Sequence, residues 1–274
     1  MQQRLQQRIQ RYGWDLAAPE YEALWQAQLA SAQRKLMDCA ALAPGELVLD
    51  VACGTGLVSL DAARAVGASG HVLGVDISGQ MIETARQRAA AGKVSNVSFA
   101  RMDAQKLDVP DASYDVALCA LGLMYVPDPI QAASEMRRVL RPGGRVVVAV
   151  WGERARCGWS ALFPIIDAEV SSEVCPLFFS LGQHDALVQL YANTNLDIVE
   201  QHRISSTLFY PSADEACKAA FVGGPVALAW SRFDDQIRAR VCQRYLEEIA
   251  KWRDGHGYRV PGEFVIASAV ATIG

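Results

Sequence analysis

The sequence predicts an α/β protein built on a doubly wound, mostly parallel sheet of seven strands. Short apolar runs alternate with longer helical patterns between residues 46 and 151. The short runs are apolar at nearly every position, which is typical of strands that helices cover on both faces. Hydrophobic residues make up 51% of the 274 residues, enough to fill the core of such a fold.

An N-terminal helical segment is expected over residues 1–43. Leu5, Ile9 and Tyr12 recur at helical spacing, and a second helical run extends from about residue 19 to residue 41. The Pro-Gly pair that follows ends the segment. We therefore predict two helices ahead of the sheet.

Residues 44–151 are expected to hold the parallel strands and the helices that connect them. Asp128 followed by Pro129 is typical of a helix start, and the Pro-Gly-Gly sequence at 142–144 ends that helix. The predicted strands cover 47–51, 71–75, 97–100, 116–121 and 145–150, and the clearest helices cover 78–91 and 128–140.

Residues 152–274 are expected to complete the sheet within the same integrated domain. Helical insertions interrupt this part of the chain, and the last of them has an apolar stripe at helical spacing. The predicted strands cover 196–202 and 263–270, and the predicted helical stretches cover 160–171, 185–192 and 211–252.

Composition excludes several classes of protein. A net charge of −4 gives no general attraction for nucleic acid. The longest apolar run, 116–126, is shorter than the roughly 18 residues of a membrane span, and no secretory signal is recognisable. Seven cysteines occur without the spacing of a zinc site. We expect a cytoplasmic, reduced protein without a metal, either a monomer or a homodimer.

A glycine-rich turn directly after the first strand is the strongest motif. It contains Asp50, Ala52, Gly54 and Gly56. Glycines at a strand-to-helix turn let the backbone approach a ligand closely and expose its amide groups. Asp76 ends the next strand, where a carboxylate can accept hydrogen bonds from both hydroxyls of a ribose. The pattern predicts a nucleoside-binding crevice at the carboxyl edge of the sheet.

A nicotinamide dinucleotide would use a similar crevice. Its fingerprint, G-x-G-x-x-G, has a third glycine where this chain has Ser59. The Asp50 carboxylate would repel a pyrophosphate and attract a cation. The turn therefore favours a ligand with a ribose and a positive charge over a dinucleotide.

These residues resemble the class I S-adenosylmethionine-dependent methyltransferases. Four further stretches carry the resemblance: 74–78 with Met81, 101–104, 114–121 and 138–145. Residues 122–129 and 12–21 resemble the ubiquinone/menaquinone-biosynthesis-type group of small-molecule methyltransferases. Ala52 departs from the glycine that many members have. The resemblance implies a Rossmann-like methyltransferase fold, S-adenosylmethionine as cofactor, and an N-terminal helical lid.

The resemblance also implies a role for each matching residue. Asp76 would hold the ribose, Asp103 the adenine, and Tyr21 in the lid the carboxylate end of the cofactor. The structural alternatives are a solvated acid for Asp76, a helix cap for Asp103 and a packing residue for Tyr21. The full implied set is Tyr21, Asp50, Ala52, Gly54, Gly56, Asp76, Ile77, Met81, Asp103, Ala104 and, through its carbonyl, Cys119.

Catalysis of methyl transfer requires mainly alignment and exclusion of water, and a base only where the acceptor starts out protonated. The candidates are His256 on a glycine-flanked loop, His184 before a helix, and Tyr125 after the fourth strand. None has a recognisable catalytic partner in the sequence. Each has a structural alternative, such as capping a helix or packing beneath one.

The predicted function is methyl transfer from S-adenosylmethionine to carbon or oxygen of a small organic acceptor. Four aromatic residues after the fifth strand favour an apolar or aromatic acceptor over a sugar. They are Trp159, Phe163, Phe178 and Phe179. Two alternatives stay open: a protein that binds the cofactor without methylating, and a nicotinamide-dependent oxidoreductase.

Overall fold

The computed structural model describes residues 2–170, 175 and 177–272. Its sheet has the strand order β3-β2-β1-β4-β5-β8-β6, with the short β7 paired to β8. The strands are β1 (Leu47–Val51), β2 (His71–Asp76), β3 (Val97–Arg101), β4 (Tyr114–Ala120), β5 (Leu140–Trp151), β6 (Leu196–Tyr210), β7 (Arg253–Asp254) and β8 (Gly257–Ala271).

Strands β1 to β5 run parallel, and β8 is antiparallel to both of its long neighbours, β5 and β6. The predicted mostly parallel, doubly wound sheet is thus confirmed. Besides its seven long strands the sheet has one short strand, the two-residue β7, which forms a hairpin with β8. The central strand β1 is buried, with Val48, Leu49 and Val51 fully inaccessible, whereas the edge strand β3 is buried only at Phe99.

The helices pack against this sheet and connect its strands. They are α1 (Gln2–Ala40), α2 (Leu57–Val66), α3 (Gly79–Ala91), α4 (Pro129–Val139), α5 (Leu162–Val170), α6 (Ala186–Ala192), α7 (Ala213–Phe221), α8 (Ala227–Ser231) and α9 (Asp235–Ile249). Asp128 caps α4 by accepting from the Gln131 amide at 3.0 Å, as the sequence predicted. None of the described helices is long and apolar enough to cross a membrane.

The N-terminal segment differs from the prediction of two helices, because α1 is continuous with Pro19 inside it. Proline removes only one intrahelical hydrogen bond, and Pro19 is exposed, so water can reach the carbonyl left unbonded. Ala17 and Ala18 beside it are buried, which holds the helix against the core across the proline. Tertiary packing thus overrides the local break.

Two predicted strand boundaries in the second half of the chain were also wrong. Strand β6 continues to Tyr210, and β8 begins at Gly257, because the two pair with each other over this whole length. The insertion over 211–252 consists of α7, α8, α9 and a final 3-10 turn. The predicted helix 160–171 corresponds to a 3-10 turn and α5, and residue 171 lies outside the described residues.

The strand order places a topological switch point between β1 and β4. From β1 the chain crosses toward β2 and β3, and then returns to the other side for β4 and β5. Connections leave the carboxyl ends of β1 and β4 in opposite directions, so a crevice opens between them. The glycine-rich turn follows β1 at this point.

Candidate active site

A cavity of about 930 Å³, its open mouth included, lies at the carboxyl ends of the parallel strands and beneath α1. A crevice at the carboxyl ends of a parallel sheet is a common place for a small-molecule ligand. Ten residues that the sequence singled out line it: Tyr21, Asp50, Ala52, Gly54, Asp76, Ile77, Met81, Asp103, Ala104 and Tyr125.

Four other candidates do not line the cavity. Gly56 begins α2, and a Cβ there would lie 3.0 Å from the Phe99 ring, so its role is in packing. Cys119 is buried within β4, while its neighbours Ala120 and Leu121 face the cavity. His184 and His256 are exposed at the surface, and the nearest carboxylate to the His184 ring is Glu153 at 3.9 Å.

The glycine-rich turn adopts left-handed backbone at Ala52, Gly54 and Gly56, with φ values of 55°, 56° and 81°. Glycine takes this conformation freely, whereas at Ala52 it is strained. A Cβ built at Gly122 would overlap the Ala52 side chain. The alanine that departs from the family pattern is therefore accommodated by a glycine after β4.

Asp50 is fully buried beside the cavity. Its Oδ2 accepts a hydrogen bond from the Ser59 hydroxyl at 2.5 Å. Its Oδ1 is buried and has no hydrogen-bond partner among the described residues. Burial raises the pKa of Asp50 to about 7, and the charge of Asp76 adds to this while the bonds from Ser59 oppose it. An unpartnered carboxylate oxygen at a cavity wall favours a cationic donor.

Asp76 is held by two backbone amides. Its Oδ1 accepts from the Ser78 N–H at 2.8 Å and its Oδ2 from the Gly54 N–H at 2.9 Å. Burial raises its pKa to about 6, although these hydrogen bonds lower it. Each carboxylate oxygen keeps a second lone pair, so both oxygens can accept from a ligand. The arrangement suits a pair of neighbouring hydroxyls.

Asp103 is positioned from two sides. Its Oδ1 accepts from the Gln105 amide and its Oδ2 from the Gln7 side chain in α1, each at 2.9 Å. Gln7 also lines the cavity. A residue near the start of α1 thus contacts the acid that the sequence assigned to the far end of the crevice.

A second contact connects α1 to the cavity wall. The Ser78 hydroxyl donates to Asp15 Oδ1 at 2.6 Å, and the Gln80 amide donates to the same oxygen at 3.2 Å. Ser78 Oγ in turn accepts from the Met81 amide, so it caps α3. Asp15 therefore fastens α1 to the N-terminus of α3.

Sequence reasoning missed three α1 residues at the site: Gln7, Gln10 and Asp15. Gln7 and Gln10 share one helix face with Trp14, at spacings of three and four residues, and Tyr21 lies a further two turns along. This polar and aromatic periodicity was the available signal. It was obscured because glutamine is common along solvated helices.

A smaller cavity of about 320 Å³, its open mouth included, adjoins the first. The two share Trp14, Tyr21, Leu121 and Tyr125, and the smaller one is otherwise lined by Trp25, Leu29, Trp151, Trp159 and the loop 223–225. We name it the aromatic cavity. Phe163, Phe178 and Phe179 do not line it but pack around Trp159 with ring centroids 5.9, 5.5 and 5.8 Å from it.

Two polar atoms in the aromatic cavity lack partners. The indole Nε1 atoms of Trp25 and Trp159 are buried, and neither donates to a described residue. A Cβ at Gly224 would lie 3.7 Å from Trp25 Nε1, so the loop leaves room beside this donor. The lining of the cavity is thus mostly aromatic and apolar, and two of its residues have buried indole donors without a described partner.

A separate cluster lies away from both cavities. Cys39 in α1 and Glu200 and His202 in β6 have potential metal-binding atoms within 4.8 Å of one another. His202 Nε2 lies 2.5 Å from Glu200 Oε2, and burial together with the Glu200 carboxylate raises the pKa of the Cys39 thiol to about 11. The three groups bond to one another, so we assign them no metal.

The chain is similar in sequence to known methyltransferases. Residues 48–144 match the family described as methyltransferase domain. The ubiquinone/menaquinone biosynthesis C-methyltransferase UbiE of Pseudomonas paraeruginosa is 32% identical over 216 residues, which cover 78% of this chain and 80% of that protein. A demethylmenaquinone methyltransferase of Listeria monocytogenes is 37% identical over 119 residues, 43% of this chain and 50% of that protein. The chain therefore spans about half the length of this second relative.

Solved structures share the fold at lower sequence identity. A putative methyltransferase from Bacillus halodurans has a TM-score of 0.65 at 19% identity, over 89% of this chain and all of that one. The [4+2]-cyclase SpnF has a TM-score of 0.67 at 20% identity, over 98% of this chain and 96% of that one. These likenesses establish the architecture.

Proposed function

Because the chain belongs to the class I S-adenosylmethionine-dependent methyltransferases of the ubiquinone/menaquinone-biosynthesis type, we propose that it transfers a methyl group from S-adenosylmethionine to a small apolar or aromatic acceptor. The observation that carries the proposal is the pair of buried carboxylates, Asp50 and Asp76, at the switch point of the sheet. They give the cavity a preference for a ligand with a cation and two hydroxyls.

The residues of the larger cavity fit this cofactor. Asp50 Oδ1 would accept from its ammonium group, Asp76 would accept from the ribose hydroxyls, and Ile77 and Met81 would enclose the adenine. Asp103 and Ala104 would bind the adenine edge, and Ala52 and Gly54 would leave room for the backbone to approach. When bound, S-adenosylmethionine supplies an electrophilic methyl group on a positively charged sulfur.

The aromatic cavity is the proposed acceptor site. Its shared wall with the larger cavity would bring acceptor and methyl group into line, and its aromatic lining would exclude water. Aromatic faces also stabilise a nearby cation. The indole N–H groups of Trp25 and Trp159 would donate to an oxygen of the acceptor. A flat, apolar acceptor with a carbonyl or phenolic oxygen meets these requirements.

Tyr125 is the one sequence-predicted catalytic candidate that lines both cavities. Burial raises the pKa of its phenol well above 10, so the group stays protonated near neutral pH and would orient the acceptor as a donor. No described histidine lines either cavity. We therefore propose an acceptor whose attacking carbon or oxygen is already nucleophilic in solution.

The names of the relatives support this class of acceptor. They refer to demethylmenaquinone and to ubiquinone/menaquinone biosynthesis, and so to oxygenated rings. A cytoplasmic location and a monomeric or homodimeric state, which the sequence suggested, remain predictions.

Titration calorimetry with S-adenosylmethionine and S-adenosylhomocysteine tests the cofactor assignment. We expect both to bind and Asp76→Asn to weaken binding by about 10- to 100-fold, since hydrogen bonds to a charged acceptor are lost. Asp61→Asn, at an exposed acid paired with Arg64, is the matched control. Binding by neither compound would overturn the proposal, and a thermal shift with a nicotinamide dinucleotide instead would favour an oxidoreductase.

A second candidate function is binding of the cofactor without methyl transfer. The lack of a described histidine at either cavity favours it, and the fold is shared with a protein named a [4+2]-cyclase. Formation of S-adenosylhomocysteine across a panel of phenols, quinols and enolisable ketones separates the two. Tight cofactor binding with no such product from any acceptor would favour this second function.

A further inference from the structure

The N-terminal part of α1 carries an apolar stripe on its outer face. Leu5, Ile9, Tyr12 and Leu16 have exposed fractions of 56%, 38%, 45% and 47%. Their spacing of four, three and four residues places them on one side of the helix. Gln7, Gln10 and Trp14, which line the larger cavity, lie on the opposite side. We name these four residues the outer stripe.

Exposed apolar side chains are concentrated in this stripe. Among the described residues nine large hydrophobic side chains are exposed, and four of the nine are in this one stretch of α1. Scattered single exposures are ordinary, whereas a contiguous row of this kind marks a contact surface. The row is about 18 Å long, since each helical residue rises about 1.5 Å.

Arginines flank the outer stripe. Arg4, Arg8 and Arg11 each directly precede a residue of the outer stripe in the sequence. Together with Arg101 they line a shallow groove. None of the four forms an ion pair with a described residue, although the chain as a whole has a net charge of −4. The one acid in the groove, Asp103, is already engaged by Gln7 and Gln105. This flank is a concentrated positive charge on an acidic protein.

We propose that this face of α1 docks on the surface of an anionic phospholipid bilayer. A helix with a row of Leu, Ile and Tyr beside a row of Arg lies in the membrane interface, with its apolar side chains among the acyl chains and its guanidinium groups on lipid phosphates. A second copy of the chain is disfavoured because the arginine rows would face each other. An acidic protein partner is disfavoured because the apolar row lies on a convex helix face outside the shallow groove.

Docking in this way would place the helix that covers the cavities against lipid. An apolar acceptor could then pass from the bilayer to the aromatic cavity over a short path. The proposal does not depend on the proposed function, because neither the stripe nor the arginines line either cavity, although the shallow groove shares Gln7, Ile77, Met102 and Asp103 with the larger one.

Sedimentation of the full chain with vesicles tests the proposal directly. We expect co-sedimentation with phosphatidylglycerol/phosphatidylcholine vesicles, little with phosphatidylcholine alone, and weakening in high salt. Arg8→Gln should lower the partition coefficient about fivefold, the effect of one basic residue near an anionic surface. The double substitution Ile9→Ser with Leu16→Ser should lower it more than this, through lost apolar burial.

Matched controls distinguish vesicle binding through this face of α1 from nonspecific binding. Val199→Ser removes an equally exposed apolar side chain on β6, and Arg34→Gln removes an exposed arginine farther along α1; both should bind vesicles as the unaltered chain does. Circular dichroism checks that every variant is folded. Absence of binding to anionic vesicles, equal loss in the control variants, or a stripe-dependent dimer in sedimentation velocity would each overturn the proposal.

Discussion

At the residue scale, the charge of the cavity depends on Asp50 and Asp76. Burial raises the pKa of both, to about 7 and about 6. Without a ligand a fraction of Asp50 is therefore protonated near neutral pH. A cationic ligand stabilises the carboxylate, so its binding releases a proton wherever Asp50 is protonated.

This linkage gives a pH dependence with a definite sign. We expect the affinity for S-adenosylmethionine to rise with pH up to about 7 and then to level off. Below the pKa of Asp50 the loss should approach tenfold for each pH unit, because one proton must leave. Calorimetry across this range, repeated in buffers of different ionisation enthalpy, measures the proton release. Asp50→Asn should bind weakly at every pH, and a parallel slope in this variant would contradict the assignment.

Gly122 and Ala52 form a second residue-scale test. Gly122→Ala would bring two Cβ atoms into overlap, and we expect a loss of stability of about 1–3 kcal/mol. Adding Ala52→Gly should recover most of it, because the clash disappears and the left-handed φ of 55° suits glycine. Urea denaturation of the two single variants and the double variant measures the coupling. Additive losses would show that the two sites are independent.

Sequence analysis predicted Asp50 and Asp76 at the cavity because they lie near the carboxyl ends of strands, which meet at one edge, and the family resemblance implied Asp103. It could not place Gly56 or Cys119, because a shift of one residue along a turn or strand moves a group from the cavity into the core. Sequence analysis also did not predict that the indole donors of Trp25 and Trp159 lie at one cavity. Their proximity depends on contacts between segments more than a hundred residues apart.

At the element scale, α1 is the part of the site that sequence analysis described least well. The helical spacing was recognised, but the proline suggested a break that packing prevents. The contacts of Asp15 and Gln7 with the ends of β2 and β3 depend on how a helix lies on the sheet. No local pattern encodes that placement.

The bond from Ser78 to Asp15 predicts a kinetic effect. Asp15→Ala removes the fastening between α1 and α3, and we expect S-adenosylhomocysteine to dissociate about fivefold faster, the equivalent of about 1 kcal/mol for one capping interaction. Stopped-flow displacement measures this rate. Asp38→Ala, at an exposed acid near the end of the same helix, should leave the rate unchanged. Equal rates in the Asp15 variant would show that the fastening does not limit release.

At the scale of the whole molecule, the strand order determines where the site lies. Parallel strands with opposite crossovers leave one crevice between β1 and β4, and the predicted fold class was sufficient to locate it. The exact reach of β6 and β8 was not predictable, because their pairing joins segments distant in sequence. The loop 223–225, which lies between β6 and β8 in the chain, completes the aromatic cavity beside residues of α1, which explains why the proposed acceptor site was the least predictable part.

The two buried acids also affect global stability. An acid whose pKa is raised on folding destabilises the native state once pH exceeds the unfolded value, and the cost is complete above the folded value. For Asp50 we therefore expect the ligand-free protein to lose stability between about pH 4 and pH 7, on the order of a few kcal/mol. The difference in urea unfolding between the unaltered chain and Asp50→Asn isolates this effect from the paired acids Glu46 and Glu135, whose lowered pKa acts in the opposite sense. A difference independent of pH would contradict it.

The uninterrupted course of α1 has a consequence for turnover. No flexible tether separates the part over the cavities from the part in the core, where Arg145 donates to the carbonyls of Ala40 and Ala41. In the proposed function, release of S-adenosylhomocysteine would then require bending at Pro19, whose missing amide leaves the Asp15 carbonyl unbonded, or melting of the first helical turns. A helix–coil transition would then be the rate-limiting step of the proposed turnover. The rate of this step should change in cosolvents that favour helix formation. The rate of a loop movement would not change in them.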